Sequence, residues 1–316
     1  MKPTIKVKFV DFSVDTVPER TLYYKILSRH FKVELSDHPD YLLAGGQRFE
    51  HYRYGLEVVK ILLLVENVAP DFNEFDYVAG FDRLEFGDRY VRFPFCAYSG
   101  SYKTLADRPA VSEEALLDRK FCSFVVSNVQ FGSPMRKLFF ERLSKYKKVD
   151  SGGRWLNNVG SPVKNKIEFC KGYKFNIAFE NSSYPGYVTE KIVDAYSAGT
   201  LPIYYGDPSV GKDFRPESMV CVKDEADIER AVEEVIRLDN DDAAYLEKLR
   251  VPCLVHADPE YYEKRFEEFL VRIFMQPPET VVRRCAHGRQ AMMRSHLKKI
   301  MGVDQWLCNL RAKLHV

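Results

Sequence analysis

The sequence predicts an α/β protein made of two Rossmann-like halves followed by a short helical tail. Three observations carry this expectation. The chain has 316 residues, more than one small core needs and enough for two domains of ordinary size. Strand and helix signatures alternate along it in two successive series, the pattern of mostly parallel sheets with helices on both faces. Hydrophobic residues make up 46% and charged residues 29%, a globular balance that excludes a disordered or collagen-like chain.

The first series opens with Ile5–Val10, where Ile, Val and Phe alternate with Lys as in a strand. Thr21–Phe31 carries apolar residues at 22, 23, 26, 27 and 31, a helical stripe. Tyr41–Ala44, closed by Gly45–Gly46, and Lys60–Val65 read as short buried strands. Ser112–Lys120 is polar and helical in character, and the domain junction falls near it. The second series starts with the strand Phe121–Ser127 and the helix Met135–Tyr146, apolar at 135, 138, 139 and 143. Lys174–Glu180 is a strand, Val188–Ala198 a helix ended by Gly199, and Pro202–Tyr205 a strand ended by Gly206. Asp227–Leu238 places Ile228, Ala231, Val232, Val235 and Ile236 on one helical face. The expected domains are therefore 1–117 and 118–275, with a tail over 276–316.

Charge excludes one function class. Forty-seven Lys and Arg against 45 Asp and Glu give a net charge of +2, so no nucleic-acid partner is expected. Val58–Val65 is broken by Lys60 and falls far short of the roughly 20 residues that span a membrane. Met1–Val10 mixes charge with Val, Ile and Phe, which fits neither a signal nor an anchor, so a cytoplasmic location is expected. The seven cysteines lack short paired spacings and read as reduced, mostly buried side chains. Residues 278–316 hold eight Lys or Arg against Glu279 and Asp304, and Met292, Met293, His296, Leu297, Ile300 and Met301 can share one helical face. Two readings of this tail stand: a basic amphipathic helix on an anionic inner-membrane surface, or a helix packing back on the body through that stripe.

The segment that carries chemistry is Lys174–Val210. A strand delivers the chain to the polar loop Asn181–Gly186, and a helix follows with Tyr187, Glu190 and Lys191 in its first turn. The first amides of a helix lack partners and favour an anion, so a phosphate can sit there, neutralised by Lys191, with Glu190 accepting from ribose hydroxyls. Equally, Glu190 can simply favour the helix dipole while Lys191 is solvated.

Phe179, Glu180 and Asn181, then Tyr187, Val188, Thr189, Glu190 and Lys191, then Thr200–Ile203 together resemble the donor-binding signature of the α1,3/α1,4-fucosyltransferases. Residues 64–95, SFVVSN (123–128), MRKLFFERL (135–143) and VKNKIEF (163–169) fall in the family's order, so the likeness spans roughly residues 60–220. The resemblance implies a GT-B fold, two Rossmann-like domains facing each other across a cleft. It implies transfer of L-fucose from GDP-β-L-fucose to the 3-hydroxyl of N-acetylglucosamine in a terminal N-acetyllactosamine unit, with inversion, giving Lewis-type products.

Single displacement needs one general base and stabilisation of the departing diphosphate. Glu66 matches the family's proposed catalytic glutamate, and burial after Ile61–Val65 is expected to raise its carboxyl towards neutrality. Arg136 matches the family arginine whose planar fork suits phosphate oxygens. By the same match, Asn181 and Tyr187 contact the phosphates or the fucose, and Glu190 the ribose. Glu180 either faces the sugar or holds the loop. Asp239 and Asp241 have the spacing of a metal-binding motif but lie in an acidic loop and read as a solvated turn. Arg136, Lys191 and the helix start after Gly186 neutralise the leaving group instead, so no metal cofactor is obligatory and Mn²⁺ or Mg²⁺ is at most stimulatory. Phe93, Phe95, Tyr98 and Tyr102 are either core or a sugar-stacking cluster. The leucine heptad repeats that promote dimerisation in bacterial relatives are not visible.

Other readings are weaker. A dinucleotide-dependent oxidoreductase needs a glycine fingerprint after the first strand, where Asp11–Ser13 stands instead. An inactive glycan-binding relative is disfavoured by intact Glu66, Arg136, Glu190 and Lys191. Use of another GDP-sugar, or formation of the α1,4 linkage, stays open.

Overall fold

The computed structural model describes residues 2–107, 111–127, 132–285 and 287–314, and for Met301 and residues 304–314 the backbone alone. The strands are β1 (Thr4–Val10), β2 (Lys32–Leu35), β3 (Tyr41–Ala44), β4 (Val59–Leu63), β5 (Tyr77–Gly80), β6 (Tyr90–Arg92), β7 (Lys120–Phe124), β8 (Val149–Ser151), β9 (Tyr173–Phe179), β10 (Leu201–Tyr205) and β11 (Val220–Cys221). The helices are α1 (Leu22–His30), α2 (Phe95–Tyr98), α3 (Gly100–Thr104), α4 (Glu113–Leu117), α5 (Met135–Leu143), α6 (Lys166–Cys170), α7 (Glu190–Ser197), α8 (Ile228–Asn240), α9 (Asp242–Arg250), α10 (Tyr261–Phe274) and α11 (Gly288–Leu314). They form two compact units. The first takes Met1–Gly80, Leu84–Phe93 and Lys264–Val316, the second Phe81–Arg83 and Pro94–Glu263.

The first unit is built on a six-stranded sheet in the order β2-β1-β3-β4-β5-β6, every pair parallel. Its central strands β3, β4 and β5 are buried at every position, which explains their apolar runs, interrupted in β4 by Lys60. One face gathers Val10, Leu42, Ala44, Leu62, Leu64 and Val78 with Phe75. On the other, Tyr41 meets Phe274 at 4.3 Å between ring centres and Tyr77 meets Phe269 at 6.0 Å, seating α10. Thr21 caps α1 by accepting from the Tyr24 amide at 3.2 Å.

Lys60 stands inside this core with no solvent exposure, and its ammonium lies 3.8 Å from Glu74 Oε2. Burial pushes it down to about 8, and neighbouring Arg284 adds to the effect. Beside it Asp76, fully buried, fastens the C-terminal segment: Oδ1 accepts from the amides of Arg283 (2.7 Å) and Arg284 (2.9 Å), and Oδ2 faces Arg284 Nε at 3.0 Å.

The second unit holds a five-stranded parallel sheet in the order β11-β10-β9-β7-β8. All seven residues of β9 are buried. Helix α8 lays Ile228, Ala231, Val232, Val235 and Leu238 on the core, the face expected from its periodicity except that Ile236 sits at the margin.

The structure corrects several details. Strand β4 ends at Leu63, and α7 starts at Glu190, so Tyr187 belongs to the loop before it. Strands β2, β5, β6, β8 and β11 and helices α9 and α10 carried no expectation, the strands because each is only two to four residues long. The tail is helical, but most of its apolar stripe does not pack on the body: Met292, Met293 and Ile300 are 56%, 45% and 62% exposed, while Leu297 is half-buried. Arg294 turns inward instead, its Nη1 donating to the Asn73 carbonyl at 2.6 Å. The Met301 side chain lies outside the described residues. Among those described, no helix is long and apolar enough to cross a membrane. Cys96, Cys122, Cys170 and Cys253 are buried free thiols, while Cys285 is exposed.

Candidate functional site

In the second unit β7 and β9 lie side by side, yet β8 continues from β7 to one edge while β10 and β11 continue from β9 to the other. The loops leaving β7 and β9 therefore diverge, and this switch point at the carboxyl ends of parallel strands is where α/β sheets bind ligands. The loop after β7 leads into α5 and delivers Arg136. That after β9 leads into α7 and delivers Glu180, Asn181, Tyr187, Glu190 and Lys191. The two loops are tied together. The Ser133 amide donates to the Asn181 carbonyl at 2.8 Å, and Arg136 Nη2 donates to Asn181 Oδ1 at 2.6 Å.

Arg136 is 1% exposed, and one edge of its guanidinium is already used. Nε and Nη2 donate to the Phe179 carbonyl at 3.1 and 2.8 Å, which leaves Nη1 without a hydrogen bond among the described residues. Burial lowers its affinity for the proton, opposed by Glu180, Tyr187 and Glu190. Asn128 at the end of SFVVSN lies outside the described residues.

Glu180 is sealed from solvent. Its Oε1 accepts from the Thr189 amide at 2.8 Å, and its Oε2 accepts from the Thr189 hydroxyl at 2.7 Å and from Lys191 Nζ at 3.1 Å. Gly206, at the end of β10, is what lets it lie there, since a Cβ at that position would run into Glu180 and come within 2.7 Å of the Tyr204 hydroxyl. Both oxygens are thus engaged in holding the start of α7. Glu190 differs. Its side chain keeps 39% exposure and approaches Lys191 Nζ at 3.4 Å. Burial pushes Glu190 up, but Lys191, Lys166, its own amide and the Thr189 hydroxyl outweigh that and hold it below the usual carboxylate value. For Lys191 burial pulls down, and Glu180 and Glu190 more than compensate, so the ammonium is held charged. Tyr187 is 2% exposed and packs edge-on against Phe81 at 5.2 Å.

The sequence-selected residues of the second unit therefore converge on one cluster of two cations and two carboxylates, one sealed and one outward. Glu66 belongs to the first unit, in a bend three residues beyond β4. It is exposed, so the burial expected of it is not found. Asp239 is not solvated, its side chain being 3% exposed, whereas Asp241 lies exposed in the turn as expected. Asp239 Oδ2 takes Lys147 Nζ and the Tyr146 hydroxyl at 3.0 Å each, and Asp241 caps α9 through the Ala244 amide at 3.0 Å. Among the described residues no group of three or more His, Cys, Asp or Glu is placed to hold a metal ion. Tyr102 is core, edge-on to Phe214. Beyond β10 and β11 lies a cavity of about 600 Å³ whose lining includes Tyr204, Gly206, Asp207, Lys212 and Lys223. Arg83, Asp207 and Asp213, an ionic group in the same unit, were not singled out in the sequence.

Comparison with known proteins bears on this cluster. Residues 7–98 match the family model of the α-(1,3)-fucosyltransferase N-terminal domain, and residues 117–250 match that of the glycosyltransferase family 10 (fucosyltransferase) C-terminal region. The likeness thus begins well before residue 60. An α-(1,3)-fucosyltransferase of Helicobacter pylori is 33% identical over 271 residues, 73% of this chain and 56% of that protein. The chain therefore spans little more than half of this curated relative. An α-(1,3)-fucosyltransferase of Drosophila melanogaster is 32% identical over 126 residues, 35% of this chain and 28% of that protein. A crystal structure of an α1,3-fucosyltransferase with GDP-fucose superposes with a TM-score of 0.72 at 30% identity, covering 87% of this chain and 92% of that one. The two parallel sheets with their helices are the α/β architecture of GT-B glycosyltransferases. With two family models matched in order and the paired loops of the switch point in place, the chain belongs to the fucosyltransferases of glycosyltransferase family 10.

Proposed function

We propose that this chain is an inverting α1,3-fucosyltransferase that moves L-fucose from GDP-β-L-fucose to the 3-hydroxyl of N-acetylglucosamine in a terminal lactosamine unit. The observation that carries the reading is the Arg136–Asn181 and Glu180–Lys191 cluster at the switch point, in a family whose solved member binds GDP-fucose. Lys191 and the Nη1 side of Arg136 receive the diphosphate. Glu190, the outward carboxylate, turns to the ribose hydroxyls, while Glu180 stays behind and keeps Lys191 in place. Glu66 takes the proton from the acceptor hydroxyl as its oxygen bonds to the anomeric carbon. The bond from that carbon to the β-phosphate oxygen breaks, and its electron pair leaves with GDP. No metal is obligatory in this scheme.

The exposed stripe of Met292, Met293 and Ile300, flanked by Lys298 and Lys299, supports contact of α11 with an anionic membrane surface such as the inner membrane. The test of the main reading is a GDP-release assay on the purified chain with N-acetyllactosamine and either GDP-fucose or GDP-mannose, with product linkage read by NMR. Release with GDP-fucose and an α1,3 product support it. Release with GDP-mannose alone, or no release with either, refutes it.

A further inference from the structure

After β5 the chain leaves the first unit for three residues, Phe81–Arg83, and returns to it at Leu84. Those three residues form part of the second unit, and each touches or fastens the loop that precedes α7.

Phe81 is 2% exposed, and its ring stands edge-on to Tyr184 at 5.8 Å and to Tyr187 at 5.2 Å. Its carbonyl lies under Gly186, whose φ is +89°. A Cβ there would come within 2.6 Å of the Phe81 oxygen, so only glycine lets the loop rest on this segment. The Asp82 carboxylate beside Tyr184 holds the Tyr184 phenol above its ordinary value. Arg83 is the fastening. Its Nε donates to Ser209 Oγ at 2.9 Å, and its Nη2 reaches Asp213 Oδ2 at 2.8 Å, the Ser209 carbonyl at 3.2 Å and Asp207 Oδ2 at 3.3 Å. Both aspartate side chains are fully buried, so the guanidinium offsets two carboxylates that would be costly to leave unpaired.

We propose that Arg83 is a positioning residue for the donor loop Asn181–Tyr187. It fixes Phe81–Arg83 against Asp207, Ser209 and Asp213, and the fixed segment is the floor that sets the loop's height relative to Arg136 and Lys191. A lysine in its place can reach one carboxylate but cannot also bond Ser209 through a planar fork. This rests on the reading of the loop as the GDP-fucose site.

The experiment uses the full chain with Arg83→Ala, Arg83→Lys, Gly186→Ala and the double variant Arg83→Ala/Gly186→Ala. GDP binding is measured by calorimetry, and KM for GDP-fucose and for lactosamine by initial rates. Arg83→Ala is expected to weaken GDP binding and raise the GDP-fucose KM at least tenfold, with the lactosamine KM within twofold. Arg83→Lys recovers part of the loss. Gly186→Ala, which disturbs the same contact without unpairing a charge, gives a similar rise even if Arg83→Ala does not fold. Because both act through one contact, the double variant loses less than the product of the single losses. A folded Arg83→Ala or Gly186→Ala with unchanged GDP binding, an equal rise in both KM values, or multiplicative losses overturns the inference. A wild-type chain that binds no GDP fails the donor-site reading and carries this inference down with it, whereas normal wild-type binding with indifferent variants removes the inference alone.

Discussion

Lys191 reaches back from the start of α7 to a carboxylate that water never touches: its Nζ lies 3.1 Å from Oε2 of Glu180. The same Glu180 also takes the amide and hydroxyl of Thr189, so one buried side chain fixes the first turn of the helix and its only lysine. Both carboxylate oxygens of Glu180 are thus engaged by Thr189 and Lys191.

Replacing Glu180 by Gln removes the buried negative charge beside Lys191 and leaves its ammonium with Glu190 and the Thr189 hydroxyl. The expected outcome is a loss in kcat/KM for GDP-fucose of about tenfold or more, equivalent to about 1.4 kcal/mol of transition-state stabilisation. Steady-state rates at varied GDP-fucose check it, and an undiminished kcat/KM would show that Lys191 needs no such anchor.

Glu66→Gln keeps the shape of the side chain and removes the proton acceptor. Turnover should fall by about 10²–10⁴-fold, while GDP affinity measured by calorimetry stays within about twofold. Substantial residual turnover would exclude Glu66 as the base.

Arg284→Ala breaks the buried pair with Asp76 and leaves that carboxylate unpaired in the first unit. Loss of about 3–5 kcal/mol is expected in urea unfolding, together with earlier proteolysis of the segment after Phe274. A loss under about 1 kcal/mol would mean that Asp76 is satisfied by backbone amides alone.

Lys60 makes stability depend on pH. Its folded value of about 8 lies below the ordinary 10.5, so the folded form releases a proton that the unfolded form still holds between those limits. The penalty for burying the charged ammonium is fully present below pH 8 and fades as pH rises to 10.5. Relative to Lys60→Met, wild-type stability should therefore climb by about 3 kcal/mol across that window. Parallel stability curves for the two proteins would refute the assignment.

Sequence and structure agree where burial is continuous along the chain. The strands Tyr41–Ala44 and Leu201–Tyr205 are legible because they are buried on both faces and read as unbroken apolar runs. The cluster around Lys191 is legible because five of its members lie within residues 180–191, with Arg136 on the next loop of the sheet. What stayed hidden is made by distant partners. Arg83 meets Asp213 across 130 residues, and Arg284 meets Asp76 across 208, and no local spacing announces either pair. Gly186 is a local signal of the weaker kind: a glycine closing a polar loop permits a positive φ and a close approach, and in the structure its φ is +89°. For Glu66 the expectation of burial failed for a local reason. The strand stops at Leu63, and the chain has already turned outward at Glu66–Asn67.

The central claim is that Lys191, held by Glu180, binds a diphosphate. Calorimetric titration of GDP and of guanosine into the wild-type chain and into Lys191→Gln tests it most directly. The account predicts that wild type prefers GDP over guanosine by about a hundredfold or more, and that the variant loses at least a tenfold share of this preference while its guanosine affinity is unchanged. Equal affinity of the wild type for GDP and guanosine, or a preference that Lys191→Gln leaves intact, would contradict it.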